Sequence, residues 1–123
     1  MRSIMIIDDD VDTRRGLREF LMGKGFVVYT ARDGPHGLSM LERLLPDLIL
    51  LDYKMPVMDG KQVLAVMRRT PALESIPVII LSAATREWSG AHLEVVEVMS
   101  KPIDLDLLLD AVNRVLASYD AAS

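Results

Sequence analysis

The chain has 123 residues, half of them apolar and 26% charged, which is the make-up of one folded domain spanning 1–123 rather than of a disordered segment. Fourteen basic against eighteen acidic side chains leave a net charge of −4, which excludes the basic footprint of a direct nucleic-acid binder, and the absence of cysteine excludes disulfide scaffolds, thiolate metal sites and cysteine catalysis. No apolar run approaches the ~18 residues of a membrane span, and the short Ile4–Ile7 run meets three aspartates at once instead of a signal-peptide core, so the expected location is the cytoplasm.

Along the chain, short apolar runs alternate with helical patterns. Ile4–Ile7 predicts a first strand. A helix follows from about Thr13 to Met22, with Leu17, Phe20 and Leu21 inward and the turn Gly23-Lys24-Gly25 to stop it. Phe26–Tyr29 predicts the second strand. The next helix carries Leu38, Leu41, Leu44 and Leu45 and ends before Pro46-Asp47. Leu48–Leu51 predicts a third strand, and a helix with Val63, Leu64 and Met67 inward follows, with Arg68 and Arg69 at its carbonyl end, where cations are favoured. Val78–Leu81 and Val95–Met99 predict the last two strands, with a fourth helix between them. Leu105, Leu108, Leu109, Val112, Val115 and Leu116 form one face of a final helix, with Asp104 placed to cap it.

This alternation implies an α/β fold with a parallel sheet covered by helices on both faces. Runs one, three and four are wholly apolar, as central strands should be. The second run passes into Tyr29-Thr30 and the fifth contains Glu97, as edges do. The expected architecture is therefore a flavodoxin-like, doubly wound sheet of five strands in the order 2-1-3-4-5, in which ligands sit beyond the strand C-termini.

The polar residues gather at those strand ends. Asp8 and Asp9 follow the first strand directly, Asp52 the third and Ser82 the fourth, and Lys101 comes two residues after the fifth. Parallel strands bring all of these to one rim. Three carboxylates in one crevice repel one another and raise each other's pKa, and a divalent cation relieves the repulsion. An oxygen-only ligand set favours Mg²⁺ or a similar hard ion. A cation, a hydroxyl and an ammonium around one carboxylate make a phosphoryl site.

The segments IIDDD (6–10), LLDYKMPVMDG (50–60), IILSA (79–83) and SKP (100–102) together resemble the receiver domain of two-component response regulators, of the chemotaxis-receiver type, over essentially the whole chain. The resemblance implies a single receiver domain over 1–123, with no effector domain. It implies phosphoryl transfer to Asp52 from a sensor histidine kinase, a phosphotransfer protein or a small phosphodonor. Such a module works through phosphorylation-dependent protein interaction and acts as an enzyme on no separate substrate. By position, Asp9, Asp52 and the main-chain carbonyl of Lys54 would bind Mg²⁺, and Asp8 would act through water or position the ion. Ser82 would bond the phosphoryl group, Lys101 would pair with it, and the Lys101-Pro102 bond would be cis. Met55-Pro56 and Asp59-Gly60 would shape the adjoining loop. The downstream partner is a protein the sequence does not name, and a homodimer stays open.

The chain also departs from the family. Receivers usually carry Tyr or Phe three residues before the lysine, and here that position is Val98; the stretch from Ala83 to Ser100 is also shorter than usual. Lys54 and Ala84 occupy positions that tune phosphate lifetime. Arg14, Arg15 and Arg18 either help dock a kinase or form a solvated helix face. Trp88 belongs either to a helical core or to a partner surface. His36 and His92 are isolated and have no ligand partners in the sequence.

Two alternatives stand beside the receiver reading. Asp10-Val11-Asp12-Thr13 faintly resembles the opening of haloacid-dehalogenase-type phosphatases, which would make the chain a small Mg²⁺-dependent phosphatase. Its first carboxylate comes too late after the strand, however, and capping of the first helix by Asp12 or a neighbour is the favoured role. The other alternative is a receiver-like adaptor that never carries phosphate. It leaves three crowded carboxylates without a use.

Overall fold

The computed structural model describes residues 1–83, 88, 95 and 97–122. Five strands form the sheet: β1 (Ser3–Ile7), β2 (Val27–Ala31), β3 (Leu48–Asp52), β4 (Val78–Ser82) and β5 (Glu97–Ser100). Four helices are described: α1 (Val11–Gly23), α2 (Gly34–Leu44), α3 (Gly60–Arg68) and α4 (Leu105–Ala122). The helix expected between β4 and β5 falls outside the described residues.

All pairings are parallel and the order is β2-β1-β3-β4-β5, as the apolar runs predict. Strand side chains alternate between the two faces. Met5, Ile7, Ile49, Leu51, Val78 and Ile80 pack against α2 and α3. Ile4, Ile6, Leu48, Leu50, Ile79 and Leu81 pack against α1 and α4. This two-sided burial is why the central strands show no polar alternation. Each fully buried Ile or Leu stabilises the fold by roughly 1.5–3 kcal/mol. No helix among the described residues is long and apolar enough to cross a membrane.

Four local expectations shift. β2 runs from Val27 to Ala31, so Tyr29 and Thr30 lie within the strand instead of ending it. β5 begins at Glu97, two residues later than the apolar run, and Lys101 follows it directly. Leu45 does not continue the inward face of α2. It caps that helix in the left-handed region at φ 42° and is 51% exposed. Leu105 starts α4 at an exposed position, so the buried stripe begins at Leu108.

Acidic caps fix where the helices start. Asp10 accepts the Thr13 N–H, Asp33 the His36 N–H, Asp59 the Gln62 N–H and Asp104 the Leu107 N–H. Each side chain satisfies a donor that helix geometry leaves unpaired. At the opposite edge of the sheet, Asp47 accepts the Ser3 N–H and ties the start of β1 to the entry of β3.

Candidate functional site

The parallel register carries the C-terminal ends of β1, β3, β4 and β5 to one edge. Ile7 lies beside Leu51, Asp52 beside Leu81, and Ser82 beside Ser100. The residue after β1 is Asp8, the last of β3 is Asp52, the last of β4 is Ser82, and the residue after β5 is Lys101. Asp8, Asp52 and Ser82 are the buried polar residues among those described. Local sequence explains why they stop where they do: each ends a run of four apolar residues that the two helical layers cover.

Asp8 is held on every side. Its N–H donates to the Ala31 carbonyl at 3.2 Å, and its own carbonyl accepts from the Arg14 guanidinium at 2.7 Å. One carboxylate oxygen accepts the Asp10 N–H at 2.9 Å, and the other accepts the Lys101 ammonium at 2.9 Å. The same ammonium stands 3.1 Å from Oδ1 of Asp52, so one cation bridges two buried carboxylates. Asp9 is exposed, and a carboxylate oxygen from each of Asp8, Asp9 and Asp52 lies within 4.8 Å of the others.

The electrostatics follow from this crowding. Burial, and next the charge of Asp8, push the Asp52 carboxyl up to about 7 against the pull of Lys101. Burial alone would lower the Lys101 ammonium, but the hydrogen bond and charge of Asp8, followed by those of Asp52, outweigh it and raise the group. The donor set is all carboxylate oxygen, carries more negative charge than one lysine offsets, and is open on the Asp9 side. Those properties fit a hard divalent cation such as Mg²⁺.

The loop from Tyr53 to Asp59 leads from Asp52 to α3. Gly60 turns it sharply back: its N–H donates to the Tyr53 carbonyl at 2.8 Å, and a Cβ there would stand 2.6 Å from the Asp52 carbonyl oxygen. At the loop's tip the Met58 N–H reaches the Pro56 carbonyl, and Val57 between them takes φ 70° and is 91% exposed. A β-branched residue there is strained. The Lys101-Pro102 bond is cis.

The structure therefore brings Asp8, Asp9, Asp52 and Lys101 together and sets Ser82 at the end of the neighbouring strand. Lys54 lies in the adjoining loop, its ammonium 5.6 Å from the Tyr53 ring centre. Ala84 and His92 fall outside the described residues. Asp10 is occupied otherwise: its carboxylate accepts from the N–H and hydroxyl of Thr13, which hold its pKa below the usual carboxylate value. The group that the phosphatase alternative needs as its nucleophile is thus engaged as a helix cap.

Two contacts have no signature in the sequence. Arg14, one of the clustered arginines, anchors the Asp8 backbone, and a main-chain acceptor leaves no residue pattern to read. Trp88 meets Tyr53, the neighbour of Asp52, edge to face with ring centres 5.5 Å apart. Only the aromatic identity of the two residues could have hinted at that pairing.

Residues 4–113 match the response regulator receiver domain family. PilG of Pseudomonas aeruginosa is 32% identical over 119 residues, covering 94% of this chain and 88% of that protein. The probable transcriptional regulator ycf29 of Pyropia yezoensis is 32% identical over 117 residues, covering 93% of this chain and 53% of that protein, so the chain spans about half its length. The chemotaxis response regulator CheY4 of Vibrio cholerae superposes with a TM-score of 0.88 at 26% identity, covering 94% of this chain and 98% of that one. With the sheet order, the strand-end acids and the bridging lysine in place, the chain belongs to the family of two-component response regulator receiver domains.

Proposed function

We propose that Asp52 is the phosphoacceptor of this receiver. One observation carries the reading: the buried Asp52 carboxylate shares the Lys101 ammonium with Asp8 inside a cluster of three acids. A carboxylate oxygen of Asp52 attacks the phosphorus of a phosphohistidine on a kinase or phosphotransfer protein, or of a small acyl phosphate. The bond from phosphorus to the donor's nitrogen or oxygen breaks, the donor keeps the electron pair, and Asp52 holds an acyl phosphate. Attack of water on that phosphorus returns the carboxylate and releases inorganic phosphate, so the protein acts on itself and on no separate substrate.

Lys101 stands where it can leave the Asp52 carboxylate and meet the new phosphoryl oxygens, since its Nζ already lies 3.1 Å from Oδ1. Asp8 holds that ammonium in place. Ser82 donates its hydroxyl to the phosphoryl group. Asp9, Asp52 and the Lys54 carbonyl would hold Mg²⁺, with Asp8 acting through water or positioning the ion, and the bound ion would supply positive charge against the phosphoryl oxygens. A groove of about 560 Å³ runs beside Lys101 between Gly16 and Leu17 of α1 and Pro102, Ile103 and Leu105. Residues 1–123 act as one receiver unit in the cytoplasm, and output is a change in which protein the phosphorylated face binds.

Incubation with Mg²⁺ and acetyl phosphate tests this reading by intact mass. One phosphoryl addition is expected in the wild type and none in Asp52→Asn. Addition that persists in Asp52→Asn, or no addition while Mg²⁺ still binds, would overturn it.

A further inference from the structure

Arg14 is a cation in an adverse place. It is the fourth residue of α1, close to the helix end at which positive charge is disfavoured, and it lies beside the acid cluster that fits a divalent cation. Its guanidinium meets no carboxylate among the described residues. Nη1 donates instead to the main-chain carbonyl of Asp8 at 2.7 Å. Repulsion between a guanidinium and a metal ion weakens the site, so any net gain has to come from what the contact does to Asp8.

The contact closes a ring of three hydrogen bonds around the turn from β1 to α1. The Arg14 guanidinium donates to the Asp8 carbonyl, the Asp10 N–H donates to the Asp8 carboxylate at 2.9 Å, and the Arg14 N–H donates to the Asp10 carbonyl at 3.0 Å. The ring grips the main chain and the side chain of Asp8 together. Asp9 lies inside it, between Asp8 and Asp10, so the same bonds fix the backbone from which its carboxylate reaches the cluster. The other Asp8 oxygen rests on the Lys101 ammonium, which Asp52 shares. Arg15 and Arg18 lie on the same flank of α1, beside Thr30, but they are exposed and make no hydrogen bond to Asp8.

We propose that Arg14 is the positioning residue of the metal site: by closing this ring it holds Asp8 and Asp9 in the arrangement that takes Mg²⁺, and this gain outweighs the repulsion from its charge. The inference rests on the reading of the three acids as a Mg²⁺ site. The two contributions have opposite signs. A guanidinium acting only as a nearby positive charge would, on removal, leave Mg²⁺ bound more tightly. A guanidinium that positions the acids would, on removal, leave Mg²⁺ bound about tenfold more weakly, the low end of what losing a contact behind metal ligands costs.

Mn²⁺ paramagnetic resonance at pH 8 and fixed ionic strength, with Mg²⁺ as competitor, reads the affinity for the metal alone. Arg14→Met should bind Mg²⁺ about tenfold more weakly than the wild type. Arg15→Met and Arg18→Met remove the same charge from the same flank, and should bind Mg²⁺ as tightly as the wild type or more tightly. The affinity of the folded protein does not move with a loss of stability alone, and circular dichroism identifies any variant that has lost its fold. If Arg14→Met has, Arg14→Gln takes its place with the same expected loss, since its polar end suits the surface but stops two bonds short of the Asp8 carbonyl. Unchanged or tighter binding in the Arg14 variant, or an equal loss in Arg15→Met or Arg18→Met, would overturn the positioning role and leave the metal site standing. A wild-type protein that binds neither ion would overturn the metal site and the positioning role with it.

Discussion

At the helix entrances, Asp10, Asp33, Asp59 and Asp104 each accept a main-chain N–H from the first turn. At the strand ends, Asp8 and Asp52 are buried side by side and share a single ammonium. The residue type is the same and the energetics are opposite. A carboxylate at a helix N-terminus meets unpaired donors and the positive end of the helix dipole, and stabilises the fold. A carboxylate in the crevice loses water and faces another of its kind. The difference shows where the molecule accepts a cost in stability, and that crevice is where we propose that its chemistry takes place.

Removing the shared cation should give the largest effect. Lys101→Met leaves two buried carboxylates without a counter-charge, and urea unfolding at pH 8 without Mg²⁺ should show a loss of about 2–4 kcal/mol. The loss should shrink at pH 5, where Asp52 already carries a proton. An equal loss at both pH values would mean that Lys101 acts by packing and not by charge.

Removing one of the repelling charges should do the reverse. The Asp52 carboxyl titrates near 7 in the folded protein and near ~3.9 in an unfolded chain. Between those values the folded form keeps a proton that the unfolded chain has released, so stability falls as pH rises from about 4 to about 7 and then levels. Asp52→Asn should flatten that fall and leave the metal-free protein about 1–2 kcal/mol more stable at pH 8. Millimolar Mg²⁺ should stabilise the wild type at pH 8 and the variant much less. A variant as pH-sensitive as the wild type would move the origin of the slope away from Asp52.

Much of this was legible in the sequence because parallel topology converts linear order into spatial order. Ile4–Ile7, Leu48–Leu51 and Val78–Leu81 announce buried central strands, and once they run side by side Asp8, Asp52 and Ser82 must share a rim. Other features were hidden because they depend on backbone geometry or on chance approach in space. Leu45 keeps the apolar rhythm of α2 yet faces out, because the chain turns left-handed there. β2 reaches Ala31 because Ser3–Ile7 offers it a full set of partners, which overrides the polar look of Tyr29-Thr30. The Arg14 contact with the Asp8 carbonyl and the Trp88 contact with Tyr53 join segments that no local pattern links.

The smallest of the three effects tests the other region. Asp59 accepts the Gln62 N–H at 2.8 Å while the Gln62 side chain accepts the Asp59 N–H at 2.9 Å, a reciprocal cap on a helix of nine residues. Asp59→Ala should cost about 1 kcal/mol, and Asp59→Asn less, since the amide oxygen still accepts. Because the cap stabilises through local backbone donors, neither change should alter the slope of stability against pH between about 5 and 7, which belongs to Asp52. The cap also starts the helix whose first residue, Gly60, passes so close to the Asp52 carbonyl that a side chain there would collide with it. If Asp59→Ala flattens that slope, the cap and the crevice form one electrostatic unit. The separation between acids that cap the helices and acids that crowd the crevice would then fail at the point where the two regions touch.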